Sequence, residues 1–168
     1  MWVSLRSELD HYRKMYSKEE FKQLKLDFWS GLERELKLIK NPHGSKVNWT
    51  NYNTKINHLY FRMEVDDLGA RLCIDMQQRD EGIRELLWDQ FLEFETKLNN
   101  LFESDLIWEK SCIHTNGLEI SRISIRMDYI SFYDRGNWPA IYEFMKTNFS
   151  KLNKFWFEFE DLFKSLMN

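Results

Sequence analysis

Between residues 40 and 57 the spacing of apolar side chains changes from every third or fourth residue to every second, and this switch constrains the fold more than any other feature. Phe21, Leu24, Phe28, Leu32, Leu36 and Ile39 recur at helical steps, which places them on one stripe. Ser17-Lys18-Glu19-Glu20 has the pattern of a capping box: the Ser17 hydroxyl accepts from the Glu20 amide, and the Glu20 side chain reaches back to the Ser17 N–H. Tyr16 and Phe21 stand at the two positions of a hydrophobic staple, and Asn41-Pro42-His43-Gly44 stops the run. The spacing therefore predicts a helix over residues 17–40. Leu5, Leu9 and Tyr12 suggest a shorter one over 2–15.

Past residue 57 the period is two. Leu59, Phe61, Met63 and Val65 alternate with Tyr60, Arg62 and Glu64. After Asp66-Asp67, the residues Leu68, Ala70, Leu72, Ile74 and Met76 alternate with Arg71, Cys73 and Asp75. This is an antiparallel hairpin with one apolar face. A second hairpin is expected over 106–127, turning at Thr115-Asn116-Gly117, with Tyr129 to Tyr133 adding a fifth strand. Between the hairpins, Ile83, Leu87, Phe91, Phe94, Leu98 and Leu101 mark a helix over 80–103. A last helix over 138–166 opens with Pro139 in its first turn. The fold class is α+β: a two-layer domain with an antiparallel sheet of about five strands from two hairpins, packed against three main helices in the order α-ββ-α-ββ(β)-α. A single domain over 1–168 is expected.

Composition narrows the function classes. At 43% hydrophobic and 30% charged residues the chain has the means to build a core and is not disordered. Aromatic residues at 16% imply that large flat rings fill that core. Two cysteines exclude a disulfide framework and a four-cysteine zinc site. No apolar run approaches the roughly 20 residues of a bilayer span, and the charged N-terminus lacks the pattern of a signal peptide. A cytoplasmic location with no membrane partner is expected, with Cys73 and Cys112 as free thiols inside strands. A net charge of -3 speaks against a strongly basic nucleic-acid binder but leaves room for a local patch. The 6 glycines form no phosphate-binding loop.

Several stretches carry a family likeness. They are Phe28-Trp29, Trp49 and Tyr52, Leu59-Tyr60-Phe61-Arg62-Met63, Asp80 with Ile83-Arg84, Phe91, Leu106-Ile107-Trp108-Glu109 and Asp134-Arg135-Gly136-Asn137-Trp138. Together they resemble the bacterial and archaeal family called domain of unknown function 4268, over residues 20–166. Members of that family often form the C-terminal part of longer predicted nucleases or restriction-type proteins. The resemblance thus implies a bacterial, nuclease-associated context. Without an upstream segment, this chain is expected to lack the part that would carry nuclease chemistry. The family brings no catalytic residues that can be carried over.

Three constellations bear on chemistry. The first is metal hydrolysis, which in restriction-type nucleases needs an acid on one strand and acid-x-Lys on the next. Glu64, Asp66 or Asp67 with Asp75-Met76-Gln77 comes nearest, with Gln in place of Lys. The bland alternative makes Asp66-Asp67 turn residues and puts Asp75 on a wet strand face. Glu109-Lys110 are adjacent and point to opposite faces. The second is Cys112 with His114, two apart on one strand face, a pair a metal or a nucleophile could use; His11, His43 and His58 are scattered. The third is the polar sheet face, where Arg62, Arg71, Arg122 and Arg126 beside Tyr60 could track a single-stranded nucleic acid. There the bland alternative is cross-strand pairing with Glu64, Asp75, Glu109 and Glu119. Trp138 is one of several tryptophans at element ends and a candidate contact residue.

The expectation is a binding or interaction module without catalysis and without a cofactor. Its partner would be another protein or a second copy of the chain. The alternatives are a nucleic-acid contact domain using the sheet-face arginines, or a divergent metal-dependent nuclease using Glu64, Asp66 and Asp75. A small-molecule pocket between the sheet and the C-terminal helix is a further reading.

Overall fold

The computed structural model describes residues 15–167. The helix expected over 2–15 lies, but for its last residue, outside them. The order is α1 (Lys18–Leu36), β1 (Leu59–Val65), β2 (Gly69–Met76), α2 (Glu81–Glu93), α3 (Glu95–Phe102), β3 (Ile107–Ile113), β4 (Glu119–Asp128), a 3-10 turn (Arg135–Asn137) and α4 (Trp138–Ser165). The capping box forms as the sequence predicts: Glu20 N–H donates to Ser17 Oγ at 3.2 Å, and Ser17 N–H donates to Glu20 Oε2 at 2.7 Å.

The strands make one antiparallel sheet in the order β1-β2-β4-β3. Leu59, Phe61, Met63 and Val65 oppose Met76, Ile74, Leu72 and Ala70, and Ile74 and Leu72 in turn oppose Ile123 and Ile125. One face is thus apolar across three strands. It packs in a single core with Phe28 and Leu32 of α1, Leu87 and Phe91 of α2, and Phe149 and Trp156 of α4. The α+β reading stands, with one antiparallel sheet. Removing these side chains from water is the main favourable contribution to folding.

Two details differ from expectation. The sheet has four strands, because residues 129–133 leave it. Tyr129 takes the left-handed conformation (φ 62°), its N–H is held by Leu68 O, and the chain turns away. Phe132 and Tyr133 then bury their rings against Phe21 of α1. A fifth strand would have left those rings on an edge, and aromatic burial prevails. The helix expected over 80–103 is two helices, which makes four α-helices among the described residues. The chain breaks at Phe94 (φ -97°, ψ 6°), whose ring meets Phe155, Phe159 and Phe163 of α4.

Trp138, at the start of α4, is buried and donates from Nε1 to Phe132 O at 2.6 Å. It fastens the 129–137 segment to the helix layer and lies away from the sheet's outer face. The indole of this candidate contact residue is placed in the core. Gly31 of α1 is buried where Tyr142 of α4 crosses, and the Tyr142 hydroxyl donates to Phe28 O at 2.8 Å. A Cβ on residue 31 would collide with that hydroxyl.

Gly31→Ala should therefore destabilise the protein by about 1–3 kcal/mol in urea unfolding, although alanine is the better helix former by about 1 kcal/mol. In a Tyr142→Phe background the same change should cost less, because the closest colliding atom is gone and only the ring carbons, at 3.0 and 3.2 Å, still crowd the new Cβ. A Gly31→Ala protein as stable as the parent would contradict this packing.

Candidate charged site on the outer sheet face

The same alternation that builds the core puts Tyr60, Arg62 and Glu64, Arg71, Cys73 and Asp75, and Arg122, Ser124 and Arg126 on the opposite face. Its centre is not wet. Asp75 and Cys73 have 0% exposure and Ser124 has 1%. Asp75 stands directly opposite Arg122 on the neighbouring strand. A carboxylate taken out of water needs hydrogen-bonding partners and a counter-charge, and Arg122 supplies both.

The guanidinium meets Asp75 in a fork, Nε to Oδ1 at 2.7 Å and Nη2 to Oδ2 at 2.8 Å. Its other edge reaches Glu64, with Nη1 to Oε2 at 3.2 Å and Nη2 to Oε1 at 2.9 Å. Burial alone would make Arg122 easier to deprotonate. The Asp75 hydrogen bonds and the charges of Asp75 and Glu64 more than reverse this, so it holds its proton more tightly than usual. Arg71 extends the network from β2: Nη2 donates to Asp66 Oδ2 at 2.6 Å, and Nε lies 3.4 Å from Glu64 Oε2 without hydrogen-bond geometry. Asp66 also accepts from the Leu68 and Gly69 amides, as a turn residue does.

The four arginines thus divide. Arg71 and Arg122 are spent inside the face. Arg62 and Arg126 are exposed, with the Arg62 guanidinium 4.4 Å from the ring centre of Tyr60. Arg126 sits directly opposite Arg71, so two like charges face each other and only one is neutralised within the sheet.

Of the acids read as candidate metal ligands, Glu64 and Asp75 come together and Asp66 does not join them. The third member of that cluster is His114, and one ligand-capable atom of each lies within 4.8 Å of the others. A divalent ion there would have to displace a guanidinium already bonded to both carboxylates. The donor set is better satisfied by Arg122 than by a metal. The sequence singled out His114 only together with Cys112, which does not join this cluster; the approach of His114 to Glu64 and Asp75 depends on how the sheet is assembled.

Neither thiol is a prepared nucleophile. Burial pushes the Cys73 thiol up to about 12. Burial, with the charge of Glu109 nearby, raises Cys112 as well.

Residues 24–160 match the family model described as Domain of unknown function (DUF4268). No curated protein and no solved structure matches the chain.

The buried thiol has a pH signature. The folded state holds the Cys73 proton more tightly than the unfolded chain, whose thiol titrates near 9.0. Stability is therefore whole below pH 9 and falls as pH rises toward 12. Tyr52, moved from 10.0 to about 12 chiefly by burial, adds to the same fall. Urea unfolding between pH 8 and 11 should show this decline, and Cys73→Ala should flatten it; equal slopes in the two proteins would refute the assignment.

Proposed function

With the chain belonging to the DUF4268 family, we propose that it is a non-enzymatic binding domain. In this reading it is an accessory to nuclease or DNA-defence systems and not their catalyst. The observation that carries it is the Arg122 fork. The carboxylates that a metal-dependent nuclease would turn toward water and Mg²⁺ are instead bonded to the protein's own arginine. The remaining acid, Asp66, is tied to Arg71 and to its own turn. A self-neutralised, half-buried network behaves as a scaffold.

What stays outward suits contact with another protein. Tyr129 is 79% exposed on a left-handed backbone, and its N–H is bonded to the carbonyl of Leu68, itself 54% exposed. Exposed Arg126 lies on the strand that leads to Tyr129. Tyrosine and arginine are the side chains that most often anchor protein interfaces. The nucleic-acid reading keeps one specific support, the stacked pair Tyr60–Arg62 with Arg126 exposed and without an ion-pair partner among the described residues. The net charge of -3 and the loss of Arg71 and Arg122 to internal pairing weigh against it.

Supercoiled plasmid incubated with the protein and Mg²⁺ or Mn²⁺ should remain supercoiled. Nicking that disappears in Asp75→Asn would overturn the reading. A labelled single-stranded oligonucleotide should not be retained at low salt. Retention that falls steeply with salt and is lost in an Arg62→Ala/Arg126→Ala protein would replace this function with nucleic-acid contact.

A further inference from the structure

A cavity of about 670 Å³ opens between the 41–55 connection and the second half of α4, away from the charged sheet face. Its floor contains Asn153, a carboxamide on the buried stripe of a long helix, only 3% exposed. The Tyr52 hydroxyl donates to Asn153 Oδ1 at 3.0 Å. The Asn153 amide nitrogen donates to nothing among the described residues. A buried side chain of this kind normally has every polar atom satisfied, and a leucine there would have been the ordinary choice. An unspent donor on the wall of an open cavity points to a ligand that supplies the acceptor.

The rim repeats the pattern. Asn48 Oδ1 accepts from Thr50 Oγ1 at 2.9 Å and from the Asn51 amide at 3.1 Å, and Asn53 Oδ1 accepts from the Lys55 amide at 2.8 Å. Asn48 has used both lone pairs of its oxygen locally and Asn53 one of two, so N–H donors dominate what is left for a ligand. The two acids on the rim are answered already: Glu160 lies 3.4 Å from Lys55 Nζ and 3.2 Å from Lys164 Nζ, and Asp161 lies 3.2 Å from the same Lys164 Nζ. Lys46 has no ion-pair partner among the described residues. Phe157, half-buried with His43 edge-on at 4.6 Å, gives the cavity one apolar wall. The surplus is therefore of donors and of one cation, beside a flat ring.

We propose that this cavity binds a small sugar phosphate, either free or as part of a nucleotide. The asparagine amides donate to its ring and hydroxyl oxygens, the sugar or base lies along Phe157, and Lys46 meets the phosphate. This site is independent of the sheet-face reading, and neither depends on the other.

The test is titration of the ¹⁵N-labelled protein with ribose 5-phosphate, adenosine monophosphate and inorganic phosphate, following the backbone amides of the lining residues Lys46, Asn51 and Asn53 and, in the parent protein, the side-chain amide of Asn153. The expected result is a saturable shift with at least one of the two esters, weakened about tenfold or more in Asn153→Leu. Lys46→Gln, on the exposed connection, should weaken binding too, and it carries the test should Asn153→Leu fail to fold. Saturation by the nucleotide alone assigns the nucleotide, and saturation by both assigns the sugar phosphate. No shift with either ester, or inorganic phosphate binding as tightly as both, overturns the proposal.

Discussion

Asp75 lies on a central strand with no contact with water, so its charge has to be answered inside the sheet. Arg122 answers it from the next strand, in a geometry that also gathers Glu64 from beyond Asp75. The pairing ties the two hairpins together, because β2 belongs to one and β4 to the other. Breaking a buried pair from one side leaves a stranded charge and costs about 3–5 kcal/mol. A shift of the β2–β4 register by one residue would send Arg122 to the apolar face. The ion pair therefore opposes mispairing of the hairpins, and it holds the buried Asp75 and the half-buried Glu64 on one guanidinium.

The helix layer follows a different rule. It is held by rings. Phe28 touches Trp29, Phe132, Trp138 and Tyr142, and Phe94 touches three phenylalanines of α4. Such contacts are worth about 0.5–1.5 kcal/mol each beyond the area they bury. They also bend the backbone. The turn at Tyr129 and the break at Phe94 are both places where seating aromatic rings prevails over continuing a regular element. Charge thus organises one side of the sheet and aromatic packing the other.

Periodicity made the architecture legible. The alternation over 59–65 and 70–76 assigned the strand residues to their faces, although Leu68, read as part of the apolar set, is exposed in the turn, and the Asn116-Gly117 turn located the second hairpin. The capping box at Ser17 marked the start of α1. What periodicity cannot express is which hairpin arms meet, and the candidate site depends on that. The arginines at 71 and 122 look alike in the sequence as polar residues on alternating strands. Only the order β1-β2-β4-β3 puts Arg122 opposite Asp75, while Arg126 is left outside the network. The same limit hid His114, which reaches Glu64 and Asp75 only in the assembled sheet. Asn153 did leave a trace, an amide four residues after Phe149 and three before Trp156 on a stripe that is apolar but for it and Asn148. A polar residue on such a stripe marks a cavity as readily as a kink, and the stripe alone does not say which.

The central claim is that Arg122 and Asp75 form one structural unit. A double-mutant cycle of Arg122→Met and Asp75→Asn, read by urea unfolding at pH 7, measures it directly. The account predicts that the double variant loses less stability than the sum of the single variants, by about 2–3 kcal/mol. Single-variant losses that simply add would show the two side chains to be energetically independent and would contradict it.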